Sequence, residues 1–140
     1  MNDPHHWPVR IYYEDTDSGG IVYYANYLKY AERARTEFLR ELGIESRQIM
    51  ETMGIGLAVR RCHVEYVSPA KLDDLVAVET TLQKVGRVSM ELRQVIRRDT
   101  LDLVQMDIKL GSINFDSGRP SALPKDMKAA LEKRMNASSN

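Results

Sequence analysis

Three features of this sequence predict an α+β fold. One segment, Tyr27–Leu42, repeats its apolar residues at helical spacing. Four later segments alternate apolar and polar residues, as half-buried strands do. A further alternating run precedes the helix. The predicted order is β, α, then β-β-β-β, then α. That order calls for a long amphipathic helix wrapped by a five-stranded antiparallel sheet.

Each element has its own warrant. In Pro8–Glu14, Val9, Ile11 and Tyr13 share one face, and Arg10, Tyr12 and Glu14 share the other. Turn residues from Asp15 to Gly20 break that pattern. The helix follows, with Tyr27, Tyr30, Ala31, Ala34, Phe38, Leu39 and Leu42 as its apolar stripe. Gly43 stands where a helix ends on a left-handed residue. A short helix near Arg47–Glu51, closed by glycine, is expected next. In "GLAVRRCHVEYVSPA", Leu57 and Val59 keep one phase, while Cys62, Val64 and Tyr66 keep the opposite one. That switch predicts a bulge near Arg60–Arg61. Val76, Val78, Thr80 and Leu82 then alternate, as do Val88, Met90, Leu92 and Ile96, and Val104, Met106, Ile108 and Leu110. Tight turns at Gly86 and Asp99–Thr100 predict an antiparallel meander of the four strands. Pro124 opens a last helix with Met127, Ala130 and Leu131 inside.

Composition narrows the function classes. The chain of 140 residues has a mass of 16.0 kDa. That size suits one domain over 1–140, with 1–6 and 136–140 as flexible ends. Twenty Lys plus Arg balance twenty Asp plus Glu, so no global charge attracts nucleic acid or an anionic membrane. Cys62 is the single cysteine, which excludes an internal disulfide; a buried core thiol is the expectation. "MNDPHHWPVR" has no apolar secretory core, and no run of ~18 apolar residues predicts a membrane span. A cytoplasmic location is expected.

The densest chemistry lies in "YYEDTDSGGIVYYANYLKYAERAR", Tyr12–Arg35. Asp15 and Asp17 fall between a strand and a helix N-terminus, where unpaired N–H groups favour carboxylates. Either aspartate could equally shape the turn. Gly19 and Gly20 signal a positive φ or a close approach to backbone. The pattern is neither a dinucleotide fingerprint nor a P-loop. No HxH, HxxE or CxxC spacing suggests a metal, and no GxSxG motif suggests a serine nucleophile. Among scattered basic residues, Arg87 follows Gly86 in a turn, where its forked donors could reach a phosphate. A solvated sheet edge is the plainer reading of that cation.

The same stretch closely resembles the signature of the hotdog-fold acyl-CoA thioesterases of the 4-hydroxybenzoyl-CoA thioesterase type. "WPVRIYYEDTD", "YAERARTEFLR", "VEYVSPAKLDD" and "RPSALP" extend the likeness from about Trp7 to Pro124, and look most like the Tol-Pal-associated acyl-CoA thioesterases. The resemblance implies a hotdog fold, with Tyr27–Leu42 as the enclosed helix. It implies that Asp17 is the catalytic carboxylate, acting as nucleophile or as general base, with Asp15 as a structural partner. It implies that the Tyr24 backbone N–H polarises the thioester carbonyl, that Gly19 and Gly20 admit the thioester, and that Arg87 helps hold CoA. No cofactor is implied, since CoA is part of the substrate. At Tyr24 the chain departs from the Tol-Pal-associated group, many of whose members carry histidine there; the hydroxybenzoyl type carries tyrosine. The implied partners are an acyl-CoA and further copies of the chain, as a dimer or a tetramer of paired dimers. A binding role toward acyl groups, acyl carrier protein or Tol-Pal and phospholipid-synthesis proteins, with weak hydrolysis, is the alternative.

Overall fold

The computed structural model describes residues 3–137. The elements are β1 (His5–Arg10), α1 (Asn26–Glu41), α2 (Ser46–Met53), β2 (Ile55–Tyr66), β3 (Leu75–Val85), β4 (Ser89–Arg98), β5 (Leu101–Asn114) and α3 (Lys125–Asn136). All five strands form one antiparallel sheet in the order β1-β3-β4-β5-β2. This is the expected α+β hotdog arrangement, with α1 the longest helix.

The two periodicities put the core where they should. Tyr27, Tyr30, Ala31, Ala34, Phe38 and Leu39 of α1 are buried. Against them lie Val76, Val78 and Leu82 of β3, Met90, Leu92 and Ile96 of β4, and Val104, Met106, Ile108 and Leu110 of β5. The helix ends in a Schellman motif: Gly43 N–H donates to Arg40 O, and Ile44 N–H donates to Leu39 O. Met127 and Leu131 of α3 join the same core, with Ala130 packed at its margin. The outer face of the sheet carries ion pairs instead, such as Arg93–Asp107 and Arg97–Glu79.

Four expectations need correction. The first strand begins at His5 rather than Pro8, so the expected flexible end 1–6 is partly strand: His5 pairs with Thr80 and His6 with Glu79. It ends at Arg10, and Tyr13 lies 82% exposed in a following 3-10 turn instead of facing the core. The meander comprises only β3, β4 and β5. β2 pairs with β5 on the far edge, and its register shift between Val59 and Arg61 is the expected bulge. Residues 67–74 then cross the end of the sheet from the β2 edge to the β1 edge. Finally, Cys62 is exposed. It pairs with core residue Ile108, but α1 packs chiefly over β1 and β3, away from the β2 side of the sheet. Of the expected C-terminal flexible end, 138–140 lie outside the described residues, and Asn136 is the last residue of α3.

Candidate active site

The segment between β1 and α1 is tied down at three levels. At its root, Ile11 N–H donates to Asp74 O at 2.9 Å and Ile11 O accepts from Asp73 N–H at 3.0 Å. In the 3-10 turn Tyr13–Asp15, the Asp15 Oδ2 accepts from Tyr12 N–H at 2.7 Å. Asp15 O also accepts from Tyr23 N–H at 3.0 Å and from Asn26 Nδ2 at 2.9 Å. Asp15 is therefore a clamp between the turn and the start of α1, as its structural reading required.

Asp17 sits at the tip of this segment and is exposed. Thr16 and Val22 form an antiparallel bridge, and Asp17 N–H donates to Ile21 O at 2.9 Å. The five residues from Asp17 to Ile21 thus close a small loop. Inside it, Gly19 N–H donates to Asp17 Oδ1 at 2.8 Å. One carboxylate oxygen is held by backbone, while Oδ2 accepts no hydrogen bond among the described residues. Gly20 has a φ of 80°. That is a left-handed conformation, which residues with a Cβ resist.

Tyr24 lies two residues beyond the bridged Ile21–Val22 pair, just ahead of α1. Its N–H makes no hydrogen bond among the described residues, and neither does that of Ala25, while Tyr23 N–H and Asn26 N–H, which flank the pair, are both satisfied. The Tyr24 ring packs edge-on against Tyr66 at 6.0 Å, and the Tyr66 hydroxyl donates to Tyr24 O at 3.4 Å. Tyr27 turns inward, and its hydroxyl accepts from Ala70 N–H at 3.0 Å. Burial holds both the Tyr27 and the Tyr66 phenol above their ordinary values, so both stay neutral. Between these rings lies a largely apolar cleft of about 250 Å³, walled by Ile21, Val22, Tyr24, Tyr27, Tyr66 and Val67.

Asp17, Gly19, Gly20 and Tyr24 are thus gathered in one short segment beside an apolar cleft. Arg87 is not with them. It follows β3, whose other end pairs Leu75 with Arg10 at the root of the Asp17 segment. The whole of β3, Leu75–Val85, separates the two places. A strand of that length spans roughly 30 Å, at about 3.3 Å per residue. Gly19 and Gly20 also do more local work than expected. Gly19 lies against the Asp17 carboxylate, where an added Cβ would come within 3.2 Å of Oδ1, and Gly20 supplies the left-handed turn.

Residues 12–131 match the family described as the thioesterase-like superfamily. The chain belongs to that superfamily. Among its thioesterase relatives, the acyl-CoA thioesterase YbgC of Haemophilus influenzae is 41% identical over 89% of this chain and 92% of its own. The acyl-CoA thioesterase YbgC of Helicobacter pylori is 34% identical over 87% of this chain and 96% of its own. The crystal structure of a probable thioesterase from Bartonella henselae superposes with a TM-score of 0.82 at 30% identity, covering 86% of this chain and 99% of that one. This thioesterase-like chain has the hotdog fold throughout its matched length.

Two residues that shape this candidate site escape sequence reasoning. Tyr66 comes from the end of β2, forty-two residues from Tyr24, and only its phase in the strand hinted at an inward ring. Asn26 lies just outside the expected helix Tyr27–Leu42, yet it opens α1 and its amide joins that helix to the Asp15 clamp. Among the described residues, no group of three or more His, Cys, Asp or Glu is placed to hold a metal ion, and no helix is long and apolar enough to cross a membrane.

Proposed function

We propose that this protein hydrolyses an acyl-CoA thioester to the free acid and CoA, with Asp17 as the catalytic carboxylate. The observation that carries the reading is the paired arrangement at one loop: a carboxylate with one oxygen held by Gly19 and one uncommitted, and an uncommitted backbone N–H at Tyr24 just before α1. Membership of the thioesterase-like superfamily and the acyl-CoA thioesterase names of its relatives support the substrate class.

The physical roles follow from charge. As the thioester is attacked, negative charge grows on the carbonyl oxygen. A pre-aimed N–H acts on that charge, and loss of such a donor typically costs ~10²–10³ in rate. The N-terminal end of α1 adds its positive dipole. Asp17 Oδ2 would attack the thioester carbon, expelling the CoA thiolate and leaving an anhydride that water hydrolyses, or it would take a proton from a water that attacks the carbon and displaces the thiolate directly. Both schemes use the same ionised oxygen. The acyl group would lie in the aromatic-walled cleft beside Tyr24 and Tyr66, with Gly19 and Gly20 keeping the loop low enough for the thioester to approach.

A homo-oligomer is part of this proposal. β2 presents a twelve-residue edge that pairs on one side only, and edges of that length invite a second strand. On and beside it, Val59, Tyr66 and Val67 are exposed. Arg87 could reach the Asp17 loop only from a neighbouring copy. Sedimentation should give an assembly mass, and a monomer at every concentration would overturn this part.

The direct test is hydrolysis of a panel of short, long and aromatic acyl-CoAs by wild type and Asp17→Asn. Removing a general base or nucleophile should cost ~10²–10⁴ in kcat. Equal turnover in the variant would remove Asp17 from the reaction. A wild type that turns over no acyl-CoA, yet binds acyl carrier protein tightly, would favour the binding role.

A further inference from the structure

A second cleft, polar rather than apolar, lies on the other side of the Asp15 clamp. It encloses about 250 Å³ and is lined by Arg10 of β1, by Lys29 and Arg33 of α1, and by residues of the Tyr12–Asp15 turn. Asp15 is the shared wall: its carbonyl bonds to Tyr23, next to the apolar cleft, and to Asn26, which lines the polar one.

Three cations converge on this cleft. Lys29 and Arg33 are four residues apart and so rise from the same face of α1. Neither forms an ion pair or a hydrogen bond among the described residues. Arg40, Arg47, Arg61, Arg93, Arg97 and Arg98 each meet a carboxylate, whereas Arg60, Arg87 and Arg119 have no ion pair among the described residues but do not line this cleft. Arg10 is steadied by donating from Nη1 to Asp73 O at 2.7 Å. Two acids also line the cleft, Glu14 and Asp15, so three cations face two carboxylates. One oxygen of the Asp15 carboxylate, Oδ2, accepts from the Tyr12 N–H. The floor is the Tyr30 phenol, which is 1% exposed and whose hydroxyl has no well-formed hydrogen bond, although the Asp15 carboxylate is near it. Burial, and then that carboxylate, hold the phenol well above its ordinary value, so the floor adds no negative charge.

We propose that this cleft binds the phosphate-bearing nucleotide end of the CoA thioester, with Lys29 and Arg33 as its principal anion contacts. The proposal rests on the thioesterase reading of the Asp17 loop. CoA carries its phosphates at the far end of a pantetheine arm, so their site must stand away from the reacting carbonyl and open to solvent. Arg33 is nine residues beyond Tyr24, roughly 13 Å along a helix rising ~1.5 Å per residue. Arg33 and Lys29 offer a forked donor and a mobile point charge on the same side of that path, a pair suited to phosphate oxygens. The exposed Tyr12 ring at the rim is placed to cover a base. This assigns to one chain the role that Arg87, at the other end of β3, could fill only from another copy.

The test measures CoA binding by calorimetry, and hydrolysis of one acyl group presented on CoA and on pantetheine. The proteins are wild type, Lys29→Ala/Arg33→Ala and Arg87→Ala. Charge-assisted contacts of this kind change affinity by roughly tenfold or more each. The double variant should bind CoA at least tenfold more weakly, show a flatter salt dependence, and lose most of the preference for the CoA thioester over the pantetheine thioester. Wild-type CoA affinity in the double variant would overturn the proposal. So would equal losses on both thioesters, or the loss of preference appearing in Arg87→Ala instead. The binding arm needs no turnover. Weaker CoA binding by the double variant, in a protein that hydrolyses neither thioester, would leave the cleft assigned and sink the thioesterase reading alone.

Discussion

Gly19 N–H donates to Asp17 Oδ1 at 2.8 Å, and a side chain at position 19 would crowd the oxygen that accepts this bond. An added Cβ would lie 3.2 Å from the same oxygen, tighter than ordinary van der Waals contact. Gly19→Ala should therefore act on Asp17 before it acts on the fold. We expect kcat to fall several-fold or more with little change in thermal midpoint, because the loop is exposed. Steady-state hydrolysis beside a melting curve checks this. A variant with full activity would show that the carboxylate tolerates displacement.

Gly20→Ala should give the opposite profile. Nothing lies within 4 Å of a Cβ at Gly20, but its φ is 80°. A left-handed non-glycine residue costs about 1–2 kcal/mol. The variant should lose about that much stability in denaturant melts while its Asp17–Gly19 contact survives. A loss of activity without a loss of stability would mean that Gly20 meets the substrate directly.

The contrast between these neighbours shows what was legible in the sequence. Asp17, Gly19, Gly20 and Tyr24 are close in the chain, so a local reading could gather them; which glycine needs φ and which needs space required backbone angles. The stripe of α1 and the alternation of β3, β4 and β5 were legible because periods of 3.6 and 2 act within one segment. The place of β2 was not. Alternation says which face a strand buries, and nothing about whether its neighbour is β3 or β5. The same gap misplaced Cys62, whose exposure depends on where α1 comes to rest. It also hid Tyr66, which meets Tyr24 only because the end of β2 lies beside the start of α1. Arg87 was located correctly in a turn, but the turn is at the wrong end of β3 to reach Asp17 in the same chain.

Gln94 is the polar residue that shares the apolar phase of β4, between Leu92 and Ile96, and it is fully buried. Its Nε2 donates to Ala31 O at 3.0 Å and to Thr80 Oγ1 at 2.9 Å, while its Oε1 accepts from Arg35 Nη1 at 3.0 Å. Burial lowers the pKa of Arg35, so its charge is already held at a cost. Gln94→Ala would empty the site and strip partners from a buried hydroxyl and a partly buried guanidinium. A loss of about 2–4 kcal/mol is expected, measured by urea unfolding. Gln94→Leu fills the space but not the bonds, and should recover only part of that loss. Full recovery would show that the network contributes packing alone.

Asp74 anchors the crossing that backs the Asp17 loop, and it should make that support sensitive to acid. Its Oδ2 accepts from Lys71 N–H at 2.9 Å and from Arg98 Nη1 at 2.7 Å. Its own carbonyl accepts from Ile11 N–H, and Lys71 bridges to Ile21 in the loop itself. Burial pushes the Asp74 carboxyl up, but the Lys71 N–H and the Arg98 guanidinium outweigh it and hold the group below its ordinary value. A depressed folded value means that the ionised form is favoured by folding. The stabilisation is therefore fully present above about pH 4, the unfolded carboxylate value, and is lost as the pH falls through the lower folded one. Asp74→Asn should be less stable than wild type at neutral pH, and the two should converge below about pH 4. Denaturant unfolding from neutral pH down into strong acid checks this. A gap that stays constant over that range would mean that Asp74 acts through shape and not through its charge.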